Sequence, residues 1–256
     1  MKLIRAITVM TLLVGLSLFL PCRASAQVLD HFKCYAVVQA APVNEFVELE
    51  DQFDKADGIV EQALVRVAVF FCNPTEKFTS ASGAPTPIQN PDGHLKMYVI
   101  TPPTTRQPVR TVLVKNQFGE QALTVFQPII LAVPTQKRPH PEPRGLDHFK
   151  CYTARGQRLG VTVGLKDQFD KEVDVVTVLN PVGFCNPVQK AHDDVLTQIE
   201  NSRDHLTCYR FTPPSTKSNL VHVANQFDTE KLFVARARYL CVPSEKLTPP
   251  GTDSGG

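Results

Sequence analysis

The chain has 256 residues, enough for about two domains, and its 27 Lys and Arg nearly balance its 25 Asp and Glu. Three of the basic residues lie in the first 26 positions, which contain no acidic residue, so the remainder is close to neutral and lacks the polybasic surface typical of nucleic-acid binding. A hydrophobic content of 43% is sufficient for a packed core, and the 13 Gly and 21 Pro favour strands and turns over long helices.

The N-terminal segment, residues 1–26, has the features of a secretory signal peptide. Lys2 precedes an apolar run over residues 6–20, and an Ala-Ser-Ala sequence ends at Ala26. We expect cleavage after Ala26, which gives a secreted or periplasmic protein with no membrane span. One alternative is a membrane anchor, for which an apolar run of about 15 residues is short. The other is lipidation at Cys22, which the preceding proline disfavours.

Internal repetition is the strongest signal in the sequence. Three motifs occur twice: DHFKCY at 30–35 and 147–152, DQFDK at 51–55 and 167–171, and FCNP at 71–74 and 184–187. A weaker copy of the same three motifs follows each set. The chain is therefore built from four units, at 30–77, 92–137, 147–190 and 204–246.

The units are expected to pair into domains. A unit of about 45 residues buries little apolar surface alone, whereas a pair has the size of an ordinary domain. We predict a first β domain at 27–137 and a second at 146–246. Alternating prolines at 138–145 favour a stiff extended linker. The Gly- and Pro-containing tail at 247–256 is expected to be disordered.

Strand patterns are clearest in the fourth unit, at 206–211, 220–227 and 231–242. Each unit is therefore predicted to contain three strands, and the segments before units two and four are predicted to be extended loops. The predicted fold is all-β. It consists of two homologous small domains, each a β-sandwich or partly closed β-barrel of two pseudo-two-fold-related three-stranded units.

The six cysteines that remain after cleavage are expected to form disulfides, because an exported chain meets an oxidising environment. Composition alone does not select the pairing. The second unit, however, has Met97 and Ala132 where the other three units have two cysteines. Joint loss of both is the behaviour of a bonded pair, so we predict one disulfide within each other unit: Cys34–Cys72, Cys151–Cys185 and Cys208–Cys241.

The DHFKCY, DQF and CNP motifs resemble those of an uncharacterised family of exported bacterial domains of unknown function, which often occur in tandem. The resemblance covers residues 29–246, and the second unit departs from it by lacking both cysteines. It implies secretion and an all-β module. It brings no reaction, ligand or active site.

One histidine occupies the same position in every unit: His31, His94, His148 and His205. Four equivalent imidazoles could bind a metal, with the preceding acidic residues orienting three of them. A repeated structural hydrogen bond is the simpler explanation. A residue that stabilises the fold is needed in every copy of the unit, whereas a ligand site rarely needs four copies of one residue. We therefore predict no metal and no cofactor.

Three other positions recur in all four units. A glutamine precedes a phenylalanine at Gln52, Gln117, Gln168 and Gln226, and we expect its amide to fix the backbone at a turn. A lysine ends each unit at Lys77, Lys137, Lys190 and Lys246. We expect these lysines to pair with acids near strand ends, or alternatively to bind an anionic ligand. The repeated tyrosines Tyr35, Tyr98, Tyr152 and Tyr209 could stack on sugars, but burial beside the disulfides is expected.

The sequence argues against an enzyme without deciding the matter. It contains no nucleophile elbow, His-Glu-x-x-His motif or phosphate-binding loop. Two carboxylate pairs, Asp51 with Asp54 and Asp167 with Asp170, fit turns as well as catalysis. We expect a secreted, disulfide-stabilised module that binds a polysaccharide or a cell-envelope protein, or has a structural role there. The alternatives are a secreted hydrolase using loop carboxylates and a His-based metal-binding protein.

Overall fold

The computed structural model describes residues 29–79, 83–101 and 107–247. The predicted signal peptide lies outside this part of the chain, as does the predicted tail apart from Leu247. No helix within the described ranges is long and apolar enough to cross a membrane.

The elements follow the four units in chain order. The first unit contains β1 (His31–Gln39), β2 (Pro42–Glu50), α1 (Gln52–Asp57) and β3 (Glu61–Phe78). After β4 (Pro85–Thr86), the second unit contains β5 (His94–Ile100), β6 (Arg110–Asn116) and β7 (Gly119–Arg138). The third contains β8 (Phe149–Arg155), β9 (Val161–Lys166) and β10 (Asp174–Pro187), and leads into β11 (Gln189–His192) and β12 (Val195–Thr197). The fourth contains β13 (His205–Thr212), β14 (Ser218–Ala224) and β15 (Thr229–Leu247). The all-β prediction is confirmed.

The short helix α1 replaces the turn that the sequence predicts at Asp54. The Asp51 carboxylate accepts from the backbone N–H groups of Phe53 and Asp54, and the Asp54 carboxylate accepts from the backbone N–H of Asp51. These reciprocal bonds form a capping box. Gly58, at φ 67°, then ends the helix in a left-handed conformation that glycine adopts without strain.

Eight strands pair into a closed antiparallel strand ring. The first and last strands of each unit are neighbours, and the units follow one another in chain order: β1, β3, β5, β7, β8, β10, β13 and β15. The ring closes because β15 also pairs with β1. Each unit has one neighbour on either side, and the remaining unit, two positions away, is called here the opposite unit.

The sheet is continuous across the predicted domain boundary. We expected each half to form its own sheet, but β7 pairs with β8 across the 138–145 segment, and β15 pairs with β1. The predicted linker therefore joins two neighbouring strands of one sheet. The physical reason is that two units alone would leave two unpaired strand edges, and combining both halves removes them.

The second strand of each unit connects opposite units. It lies off the strand ring and pairs along one edge with the long last strand of its own unit. Along its other edge, β6 pairs with the end of β15, β14 with the end of β7, and β9 with the end of β3. In the first unit, β2 pairs with β11 in the same way. Opposite units are therefore held together by backbone hydrogen bonds.

Side chains alternate along the ring strands, as β1 illustrates. Phe32 and Cys34 belong to a buried cluster that includes residues from all eight ring strands, so they point inside. His31, Lys33 and Tyr35 point to the outer face and are buried as well. Both faces of the ring strands are thus covered, which leaves the outer face available for contacts between units.

Three disulfides bridge directly paired residues inside the strand ring: Cys34–Cys72, Cys151–Cys185 and Cys208–Cys241. These are the pairs that the repeat comparison predicts. Met97 and Ala132 face each other at the fourth, unbridged position. The protein is therefore a disulfide-stabilised module built from β-rich repeats.

Candidate binding sites

The repeated tyrosines are buried against the opposite unit. Each contacts the phenylalanine of that unit's Gln-Phe pair edge to face, with centroids 5.1–5.4 Å apart: Tyr35 with Phe169, Tyr98 with Phe227, Tyr152 with Phe53, and Tyr209 with Phe118. Such pairs add stability beyond the burial of apolar area. The tyrosines are consequently packing residues and offer no platform for sugars.

The motif variants are explained by these contacts between opposite units. In units one and three an Asp meets an Asn: Asn186 Nδ2 and Tyr152 Oη donate to Asp51 over 2.9 and 2.8 Å. In units two and four an Asn meets a hydroxyl instead, since Asn225 Nδ2 donates to Thr135 Oγ1 over 3.0 Å. Each combination places a donor opposite an acceptor. Units one and three therefore share one set of motifs, and units two and four share the other.

One carboxylate of each predicted pair is bound to a buried lysine of the opposite unit. Lys150 Nζ lies 2.9 Å from Asp54 Oδ2 and also contacts Glu61. Lys33 Nζ lies 2.9 Å from Asp170 Oδ2 in the related position. General acid–base catalysis needs a carboxyl group within reach of the substrate, and these carboxylates are buried in ion pairs. This burial argues against these particular carboxylates as the catalytic groups of a hydrolase.

Burial also changes the proton affinity of these carboxyl groups. Desolvation and the neighbouring Asp51 charge raise the pKa of Asp54 to about 6, although the Lys150 ammonium opposes the shift. Desolvation likewise raises the pKa of Asp167 to about 6, against the opposing charge of Lys33.

The acidic residues before His31 and His148 bind backbone and do not orient the imidazoles. Asp30 accepts from the backbone N–H groups of residues 89 and 90 over 2.8 and 2.7 Å. Asp147 accepts from residues 200 and 201 over 2.7 and 2.9 Å. These carboxylates fix the segments that lead into units two and four.

The terminal lysines lie over aromatic rings of the next unit, where we expected acids. The ammonium groups are 4.9–6.0 Å from the ring centroids: Lys77 over Phe118, Lys137 over Phe169, Lys190 over Phe227, and Lys246 over Phe53. Desolvation lowers the pKa of Lys137 and of Lys190 to about 8. Cation–π attraction replaces the expected ion pair because the Gln-Phe segment of the next unit covers each lysine.

All four repeated histidines are buried beside these lysines. Desolvation, reinforced by the lysine charge, lowers the pKa to about 4 for His31, 2 for His94, 3 for His148 and 4 for His205. The four imidazoles are therefore neutral at physiological pH. Within the described ranges, no three His, Cys, Asp or Glu side chains lie close enough together to hold a metal ion.

The four repeated glutamines divide into two types. Gln52 Nε2 donates to the backbone carbonyl of Ser202 over 2.6 Å and its Oε1 contacts Lys246, and Gln168 repeats this at Pro91 and Lys137. Gln52 and Gln168 thus make the expected contact with backbone, and the backbone belongs to the segment that leads into another unit.

The other two glutamines lie beside histidines. His148 Nε2 donates to Gln226 Oε1 over 3.2 Å, and Gln117 lies beside His31 in the related position. In both cases the glutamine amide contacts the imidazole of the preceding unit, and a groove lies above the contact.

Two grooves occupy these related positions, and the surface of the His148 groove is mainly polar whereas that of the His31 groove is mainly apolar. The His148 groove has a volume of about 500 Å³ and is lined by His148, Gln226 and Pro134 among others. The His31 groove has a volume of about 420 Å³ and is lined by His31, Gln117 and Pro243 among others. In both, the histidine belongs to one unit, the glutamine to the next unit and the proline to the preceding one. The internal repeat has therefore produced two related sites.

The walls of the two grooves differ. Arg138 and Glu142 from the 138–145 segment line the His148 groove, whereas Thr86 and Gln89 line the His31 groove. The sequence identifies the repeated histidines and glutamines. It does not reveal the grooves, because each is assembled from three different units.

Comparison with known proteins gives a family and no function. Residues 94–243 match the model of a family described as a repeat of unknown function, DUF7450. No curated protein and no solved structure matches the chain. The match agrees with the resemblance to an uncharacterised repeat family.

Proposed function

We propose that this chain, which belongs to the DUF7450 family of repeats of unknown function, is an exported polysaccharide-binding module. The His31 and His148 grooves would hold two segments of one cell-envelope or extracellular polysaccharide. The observation that carries the proposal is the presence of two repeat-related grooves, each lined by a histidine and a glutamine, on one disulfide-braced strand ring.

The chemistry of the groove floors suits a neutral, hydroxyl-rich ligand. Each floor combines a neutral imidazole with a carboxamide, and together they supply hydrogen-bond donors and acceptors without net charge. Pro134 and Pro243 add apolar wall surface for the C–H faces of sugars. Because the chain has no Trp, the proposed recognition rests on these polar groups.

Two grooves on one frame favour a repetitive polymer. Once one groove is occupied, the second binds the same polymer at a high effective concentration, so two weak sites give useful overall affinity. The continuous sheet supports this proposal, because it connects the units that form both grooves.

Export is part of the proposal. The predicted signal peptide at 1–26 and the three disulfides support an oxidising compartment, since structural disulfides persist outside the cytosol. A polysaccharide of the envelope or its surroundings is the partner that such a protein would meet.

The test is calorimetric titration of the mature protein with a panel of purified envelope polysaccharides. Gln117→Ala and Gln226→Ala should each weaken binding at least tenfold, because each removes one of two linked sites, and the double variant should not bind. Gln39→Ala, an exposed position on β1, is the matched control and should bind normally. Absence of binding to every polysaccharide, or unchanged binding by the double variant, would overturn the proposal. Binding to an envelope protein alone would contradict the proposed ligand.

A further inference from the structure

The inside of the strand ring contains an apolar cavity of about 150 Å³. Side chains from all eight ring strands line it, including half-cystines of the three disulfides, the Met97 thioether and Ile130. The disulfide sulfurs and the thioether are soft, polarizable atoms that favour apolar contacts. The cavity is therefore distinct from the two grooves, which are lined by histidine and glutamine side chains.

A missing side chain explains why this space is open. On the last strand of each unit, another inward residue lies two positions before the inward Cys or Ala. These four residues all line the cavity: Phe70, Ile130, Gly183 and Tyr239. Phe70 and Tyr239 pack edge to face with centroids 5.1 Å apart. Gly183 contributes no side chain, so one quarter of this layer is unfilled.

The backbone does not require glycine at this position. A Cβ atom at Gly183 would have the Tyr152 carbonyl oxygen at 3.5 Å and Cys208 Cβ at 3.6 Å as its nearest neighbours, which are ordinary contact distances. A larger residue at position 183 could therefore extend into the cavity. Glycine is not needed at this position to avoid a steric clash.

The cavity also reaches the surface. Ile129 and Val182, each the residue before one of these inward positions, are among its lining residues. Ile129 is 38% exposed. A small molecule could thus enter along the β7 and β10 side without separation of ring strands.

We propose that the strand ring binds one small, uncharged, apolar molecule of about the size of a benzene ring, seated against the disulfides and entering past Gly183. Apolar cavities of about this volume stay dry and bind benzene or xenon, because their walls give dispersion contacts and no hydrogen bonds. This site is independent of polysaccharide binding.

The test uses xenon and toluene as probes of the oxidised mature protein. Xenon NMR should show one saturable site, and toluene should raise the melting temperature in a concentration-dependent manner. Gly183→Leu fills the cavity and should abolish both effects. Val175→Leu, on the same strand but exposed, is the matched control and should retain them. Ile130→Phe fills the space from β7, so the test survives if Gly183→Leu does not fold. Absence of xenon binding to the unmodified protein, or retained binding in a folded filled variant, would overturn the proposal.

Discussion

Lys150 forms an ion pair with Asp54, 96 positions earlier in the chain, and its ammonium lies 2.9 Å from each carboxylate oxygen. Both side chains are fully buried. Lys150 belongs to the third unit and Asp54 to the first, so the pair joins opposite sides of the strand ring. Contacts of this kind make the four units one structure.

Loss of Lys150 should destabilise the protein strongly. Lys150→Met leaves Asp54 and Glu61 buried without their cation, and breaking a buried pair in this way costs about 3–5 kcal/mol. Urea unfolding followed by circular dichroism measures the change. The control is Lys115→Met, because Lys115 and Glu120 form a pair more than half exposed, whose loss costs about 1 kcal/mol or less. Equal effects of the two variants would show that the buried pair has no special role.

A fourth disulfide should form in the second unit. Met97 and Ala132 are paired in the same register as Cys34 and Cys72, so Met97→Cys combined with Ala132→Cys should oxidise during folding. The loop of about 35 residues implies up to roughly 3–4 kcal/mol of stabilisation in the chain-entropy model, less the packing lost with the Met97 side chain. Intact mass and thiol titration report the bond. Ala132→Cys alone should retain one free thiol, and two free thiols in the double variant would contradict the prediction.

Acid should weaken the fold through the buried histidines. Their folded pKa values of about 2–4 lie below the ordinary value of 6.5, so below pH 6.5 the unfolded chain takes up protons that the folded protein does not. Their contribution to stability is complete above pH 6.5 and decreases as pH falls. Asp54 and Asp167 act in the opposite direction between pH 6 and 4, because burial raises their pKa values and the folded protein takes up protons first.

A single substitution separates the histidine effect from the aspartate effect. His94 stacks on Phe71 and is fully buried, so His94→Phe should fold. Between pH 6 and 3 the variant should lose about 1.4 kcal/mol less stability per pH unit than the unmodified protein. The comparison uses urea unfolding at several pH values. His222→Phe, an exposed position on β14, should keep the original profile. A parallel shift of the His94→Phe curve, with unchanged slope, would refute this origin of the acid sensitivity.

The sequence predicts contacts whose two residues belong to the same unit. Met97 and Ala132 change together where the other units have cysteines, and this joint change identifies the disulfides. A similar signal exists between units: Thr207 stands where the other units have a buried lysine, and Gly119 in the opposite unit stands where Asp54 stands in the first. This signal can be interpreted only once the opposite units are known. The grooves could not be predicted from the sequence for the same reason, because each is assembled from three different units.

Local context explains the missed helix. The DQFDK motif is identical at 51–55 and 167–171, yet the first copy forms α1 and the second a turn. Gly58 supplies the left-handed residue that completes the first copy as a helix. In the third unit the position equivalent to Gly58 is occupied by Asp174, whose carboxylate lies 2.6 Å from Lys33 Nζ of the first unit. The residue that follows the motif, together with the contact it makes, thus decides between two structures of one motif.

The most direct test of the closed strand ring is to produce residues 27–137 and 146–246 separately under oxidising conditions. If the four units form one ring, each half alone loses the partners of its buried ion pairs, because Lys33 with Asp170, Lys96 with Asp228 and Lys150 with Asp54 all join one half to the other. The two outermost ring strands of each half also lose a neighbour. Neither half should then unfold cooperatively in circular dichroism, and mixing them should give a one-to-one complex with native-like stability. Two halves that fold independently as monomers, and do not associate, would contradict the ring.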